Sequence, residues 1–88
     1  MEANNMKMMD CVEVIVEKEK YAKEGVHKGM QGWICLDGYG DGYWEVNFPQ
    51  CYDKPDIATL AIHEDDVKYL PDGMDAKVNE EIKEKFGD

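Results

Sequence analysis

Tyr43-Trp44-Glu45-Val46-Asn47-Phe48 alternates apolar and polar side chains without a break, and this hexapeptide decides the fold class. Successive side chains of an extended chain point to opposite faces, so Trp44, Val46 and Phe48 share one face and Tyr43, Glu45 and Asn47 the other. One apolar face marks a half-buried strand. Immediately upstream, Asp37-Gly38-Tyr39-Gly40-Asp41-Gly42 is a dense turn signal, and Met30 to Leu36 before it reads as a second strand bounded by Gly29 and Gly38. The two form a hairpin. Gly32 lies on the face of Ile34 and Leu36, where a missing side chain suits a bulge or a close backbone approach.

Further out on both sides the pattern continues. Cys11 to Glu17 alternates strictly, with Val12, Val14 and Val16 on one face. Lys18 to Lys28 is too polar to bury, so it is expected as a long surface loop, with Gly25 as a turn residue and His27 exposed. After a loop from Pro49 to Asp56, Ile57 to Ile62 is a strand with Ala58, Leu60 and Ile62 inward. His63-Glu64-Asp65-Asp66 reads as a single helical turn, and Val67 to Leu70 as a short strand ended by Pro71. From there a helix runs to about Phe86, capped by Asp72, with Asp75 in its first turn and Lys83 and Lys85 near its end. Met74, Val78, Ile82 and Phe86 recur at spacing four and form a narrow stripe that docks on the rest of the domain.

Five short strands, Gly-rich turns and a single helical turn before the last strand predict a mostly β fold. The expected architecture is a small closed five-stranded SH3-like barrel with a C-terminal α-helix. The expected organisation is a flexible N-terminal segment over 1–10, the barrel over 11–71 and the docked helix over 72–88.

Composition removes several function classes. The chain has 88 residues and a formal net charge of −10, from 20 acidic residues against 10 basic ones, every one of them lysine. Arginine and serine are absent, which excludes a serine nucleophile and an arginine fork for phosphate or carboxylate. Direct nucleic-acid binding needs a basic surplus, and the balance here is the reverse. No apolar run approaches the ~18 residues of a membrane span, and the N-terminus lacks the build of a secretory signal. Cys11, Cys35 and Cys51, widely spaced and odd in number, read as free thiols of a cytoplasmic protein.

Three segments carry a resemblance. Gly25-Val26-His27-Lys28-Gly29-Met30-Gln31-Gly32-Trp33-Ile34, Trp44-Glu45-Val46-Asn47-Phe48 and Leu60-Ala61-Ile62-His63-Glu64-Asp65-Asp66-Val67 follow each other in order. Over about Asp10 to Leu70 the chain resembles a family of short bacterial SH3-like barrel proteins of unknown function. That family carries a Gly-x-x-Lys-Gly-x-x-Gly-type turn, a Tyr-Glu-Val-Glu-Phe-like strand and a closing Asp-Leu or Asp-Val. Asn47 stands where the family usually has an acid, and the segment after Pro71 is additional to its pattern. Some members look like neighbours of toxin-like proteins, so the resemblance implies an immunity or antitoxin role.

Candidate chemistry is sparse. Cys51, in a loop, is the one cysteine open to a reactive role, because burial of Cys11 and Cys35 in strands would quench them. Asp37 to Gly42 partly imitates a calcium loop, but Tyr39 takes the third position and Phe48 the twelfth, where a glutamate should close the cage. The four polar groups of His63 to Asp66 splay around one turn and cannot meet one ion. Neither metal nor cofactor is expected, and the chain reads as non-enzymatic.

Aromatic rings beside carboxylates point to protein binding. Trp33, Tyr39 and Tyr43, with Tyr21 and Tyr52, fall on loops or on faces opposite the core, near Asp37, Asp41 and Glu45. Rigid aromatic area flanked by acids fits a cationic protein partner. Trp33 alternatively fills a second small core under the C-terminal helix. The expected contact surface is Trp33, Asp37, Tyr39, Asp41, Tyr43 and Glu45, and the expected function an inhibitor masking a basic target such as a toxin or nuclease. Two alternatives stand beside it: an accessory domain that binds through the Met74–Phe86 stripe, and a nucleic-acid mimic acting on a nuclease.

Overall fold

The computed structural model describes residues 9–36 and 42–87. Five antiparallel strands form one curled sheet: β1 (Cys11–Val14), β2 (Gln31–Leu36), β3 (Tyr43–Phe48), β4 (Ala58–His63) and β5 (Val67–Tyr69). Two helices accompany them, α1 (Glu19–Ala22) and α2 (Ala76–Phe86), and a 3₁₀ turn at Glu64–Asp66 joins β4 to β5. The fold is mostly β, and the strand order β4-β3-β2-β1-β5 with that joining turn is an SH3-like half-barrel. The expected closed barrel is corrected in one respect. Among the described residues no ladder joins β4 to β5, so hydrogen bonding leaves a seam between the outer strands.

Alternation places the core where the sequence predicts it. Val12, Val14, Ile34, Val46, Phe48 and Ile62 are buried together, with Trp44, Ala58 and Leu60 packed at the margin. β1 is shorter than its alternating run. Its partner runs out: β5 begins only at Val67, opposite Val14, and beyond that Ile15 N–H bonds the Asp66 carbonyl as the chain turns away. The bulge lies between Ile34 and Leu36 rather than at Gly32. Gly32 serves close approach instead: a Cβ there would run into the Asn47 carbonyl oxygen and sit 2.9 Å from Val46.

The long surface loop expected over Lys18 to Lys28 is overturned. It holds the one-turn helix α1, and Tyr21, Val26 and His27 are buried. Tyr21 is therefore a core residue and not a binding aromatic. Its hydroxyl donates to Asp66 Oδ2 at 2.6 Å and accepts from the His63 amide at 3.2 Å, bridging the seam at its joining turn. Lys18 Nζ completes the cluster at 3.0 Å from the same carboxylate oxygen. Nor is His27 exposed. Its Nδ1 lies 2.8 Å from Glu17 Oε2, and its ring stacks on Phe86 with centroids 3.8 Å apart.

The C-terminal helix begins later than predicted. Asp75, not Asp72, caps it, accepting from Lys77 N–H at 2.9 Å, because Pro71 to Gly73 is spent on a turn closed by Gly73 N–H to the Leu70 carbonyl. Its buried centre is polar. Asn79 is fully buried, whereas Met74, Val78 and Ile82 are half-buried and Phe86 lies over His27. Trp33 stands opposite Asn47, so continuing that register by two residues brings Gln31 opposite Pro49, which has no N–H to donate. Asn79 supplies the missing peptide. Its Nδ2 donates to the Gln31 carbonyl at 2.7 Å and the Pro49 carbonyl at 2.8 Å, and its Oδ1 accepts from Gln31 N–H at 2.7 Å. The side-chain amide thus extends the ladder where proline stops it, and fixes α2 to β2.

Of the segment expected to be flexible, residues 1–8 lie outside the described residues. Met9 N–H bonds the Ile34 carbonyl at 2.7 Å, and Ile34 N–H bonds the Asp10 carbonyl at 2.9 Å.

Candidate protein-binding face

The outward face of the sheet carries the described part of the expected contact surface. Inward positions on β3 are Trp44, Val46 and Phe48, so Tyr43 and Glu45 face out, as does Trp33 beside Ile34 on β2. All three are half-buried. Asp37, Tyr39 and Asp41 lie outside the described residues, between β2 and β3. Cross-strand register sets Trp33 between Cys11 and Asn47, and Glu45 beside Ala61. Trp33 is not part of the core cluster.

Three residues of this face, Tyr43, Glu45 and Asn47, are already held by neighbours. Tyr43 hydroxyl accepts from Lys20 Nζ at 3.0 Å, and its ring meets His63 edge-on at 5.0 Å. The Cys35 thiol reaches the Glu45 backbone carbonyl at 3.5 Å, and burial followed by the charge of Glu45 pushes its pKa up. Asn47 is buried, and its Nδ2 donates to Asp56 Oδ2 and Thr59 Oγ1, both at 2.8 Å. These contacts stiffen the face and leave its ring surfaces partly open.

A scan against family models finds no match for this chain, and searches of the curated proteins and of the solved structures find none either.

The remaining polar clusters are structural in their geometry. The Asp66 carboxyl is held below its usual range: burial, the largest influence, pushes it up, but hydrogen bonds from Tyr21 and Lys18 outweigh burial. Burial and the Asp66 bond in turn push the Tyr21 phenol up to about 12. Between α2 and the loop that joins β3 to β4, Glu80 accepts from Cys51 N–H and from Lys54 Nζ, the latter at 2.8 Å. The Lys54 bond leads in drawing the Glu80 carboxyl down to about 2. The Cys51 thiol moves the other way: hydrogen bonding to Glu80 is the main influence raising its pKa. A thiol beside a carboxylate is a poor nucleophile at neutral pH. Near this cluster lies a shallow recess of about 390 Å³ between Gln50, Lys54 and the Lys77, Glu81 and Glu84 side of α2.

No group of three or more His, Cys, Asp or Glu side chains among the described residues is arranged to hold a metal ion. His63 Nδ1 accepts from the Asp65 amide at 3.1 Å and so caps the 3₁₀ turn. No helix among the described residues is long and apolar enough to cross a membrane.

The sequence reads Tyr21 as a contact aromatic and His27 as exposed and gives Asn79 no role, yet all three are buried and hold the helices to the rest of the fold. Only Asn79 left a trace, as a polar residue on the apolar side of the helix, beside Val78 and Ile82.

Proposed function

We propose that this chain is a non-enzymatic protein-binding domain that masks a basic surface of its target, as an inhibitor of the immunity or antitoxin type would. The observation that carries this proposal is the shared outward face of Trp33, Tyr43 and Glu45 on a chain of net charge −10. The half-buried Trp33 and the Tyr43 ring, which Lys20 and His63 hold, offer aromatic contact area, and neighbouring carboxylate charge favours a cationic partner and steers its approach. The immunity or antitoxin character rests on the family resemblance of the barrel segments. Binding through the stripe of α2 is less favoured, because Ile82 packs on the core and Phe86 on His27. Affinity purification from the source cells at low salt, followed by titration with the recovered partner, tests the proposal. One basic protein should bind in a defined ratio, with a Kd that rises steeply with salt and rises again when Trp33 or Tyr43 becomes alanine. A neutral partner, or affinity indifferent to both salt and those rings, refutes it.

A further inference from the structure

One aromatic ring, away from the strand face, is presented to solvent by a turn built for another residue. Tyr52 is 96 % exposed, and neither a hydrogen bond nor a ring contact holds its side chain among the described residues. Its backbone φ is +60°, and apart from Met9 no other described non-glycine residue has a positive φ. Cys51 to Lys54 forms a turn closed by Lys54 N–H to the Cys51 carbonyl. Within it φ is positive at the first central residue, Tyr52, and not at Asp53, the sign pattern of a type II′ turn, which favours glycine at that first position. A tyrosine there opposes the backbone preference and, at this exposure, gains no packing in return.

The turn is nevertheless held firmly. Glu80 on α2 grips both ends of it, through Cys51 N–H and Lys54 Nζ. Gln50 Nε2 ties the loop mouth to the Pro55 carbonyl at 2.8 Å, and Asn79 holds the Pro49 carbonyl. A strained, braced turn with a bare ring at its tip is a pre-organised anchor, since little loop entropy remains to be lost on binding. Charge selects its partner. Asp53, next to the ring in the turn, is exposed, and Asp56, also exposed, accepts from Asn47 Nδ2, whereas the ammonium of Lys54, the lone cation of the loop, is committed to Glu80.

We infer that Tyr52 is a second contact site, which takes a lysine- or arginine-bearing protein segment by packing a cationic side chain on the ring and pairing another with Asp53. It rests on the protein-binding function proposed above and adds a site to it, at the loop between β3 and β4.

A random peptide library displayed on phage and selected on the full chain at low salt supplies the probe. Selected peptides should be enriched in lysine and arginine and should bind Tyr52→Gly about tenfold or more weakly than the parent chain. Tyr52→Gly should itself melt a few degrees higher, since glycine suits the turn. Glu80→Gln, which loosens the brace and leaves the ring in place, should weaken binding less than Tyr52→Gly does. Peptides that ignore residue 52, or that carry no basic enrichment, overturn the inference. So does a Tyr52→Gly chain that melts lower than its parent, because the ring would then be serving the fold. Salt-dependent complexes with poly-lysine that are unaffected at residue 52 would sink this site alone; absence of any salt-dependent complex would sink the proposed function with it.

Discussion

Replacing Asn79 by alanine should undock α2 and cost this domain a large part of its stability. The side chain makes three hydrogen bonds, two to Gln31 and one to the Pro49 carbonyl, at a fully buried position. A neutral hydrogen bond contributes about 1 kcal/mol net, so three of them come to about 3 kcal/mol. Alanine also leaves the Gln31 N–H and two carbonyls without these partners, which holds the loss at or above that figure. At roughly 0.05–0.15 kcal/mol per residue, a chain of this length has on the order of 4–13 kcal/mol in total. Urea denaturation followed by circular dichroism measures the change, and hydrogen exchange should show the α2 amides losing protection before those of β3. Adding Pro49→Ala to Asn79→Ala should recover about 1 kcal/mol, because continuing the Trp33–Asn47 register by two residues sets the new N–H against the Gln31 carbonyl once the Asn79 amide no longer separates them. A loss below about 1 kcal/mol for Asn79→Ala would refute the view that this amide stands in for a missing strand peptide.

Three further outcomes are expected. Tyr21→Phe removes the hydroxyl that bridges Asp66 and the His63 amide, and should destabilise by about 2 kcal/mol in thermal or urea melts, since one of its bonds is to a charged carboxylate. Acid should weaken the domain through Glu80: its folded pKa of about 2 lies below its unfolded value, so its contribution is present above pH ~4.5 and is lost as pH falls toward 2. Melting midpoints of Glu80→Gln should accordingly fall less over that window than those of the parent chain. Cys51, beside Glu80, should be alkylated by iodoacetamide more slowly than free cysteine at pH 7.5, and Glu80→Gln should speed the reaction; faster reaction in the parent chain would reopen a catalytic role.

Much of the fold is legible in the sequence because its signals are local. Tyr43 to Phe48 alternates within six residues, and the structure gives β3 those same bounds. Dense glycines and prolines mark where strands stop, and the acidic run at Glu64 marks the 3₁₀ turn. The proposed contact face was legible only in part. Alternation shows that Tyr43 and Glu45 face away from Val46, but not that Lys20 and His63 would hold Tyr43 in place. Tyr52 reads from sequence as a loop aromatic, and nothing local gives its φ sign or its bracing from α2.

The sequence by itself determined the class, the strands and the inward faces, because a side chain's direction along a strand depends only on its neighbours. It also determined the exclusions, since a chain without arginine or serine cannot use either. Only the tertiary structure decided how the helices attach and where the sheet ends. Tyr21 finds Asp66 across 45 residues, and Asn79 finds Gln31 across 48. A polar side chain in a charged stretch is exposed by every local criterion. It becomes core when a distant partner satisfies its hydrogen bonds, and a seam or a proline supplies that partner only after the chain has folded.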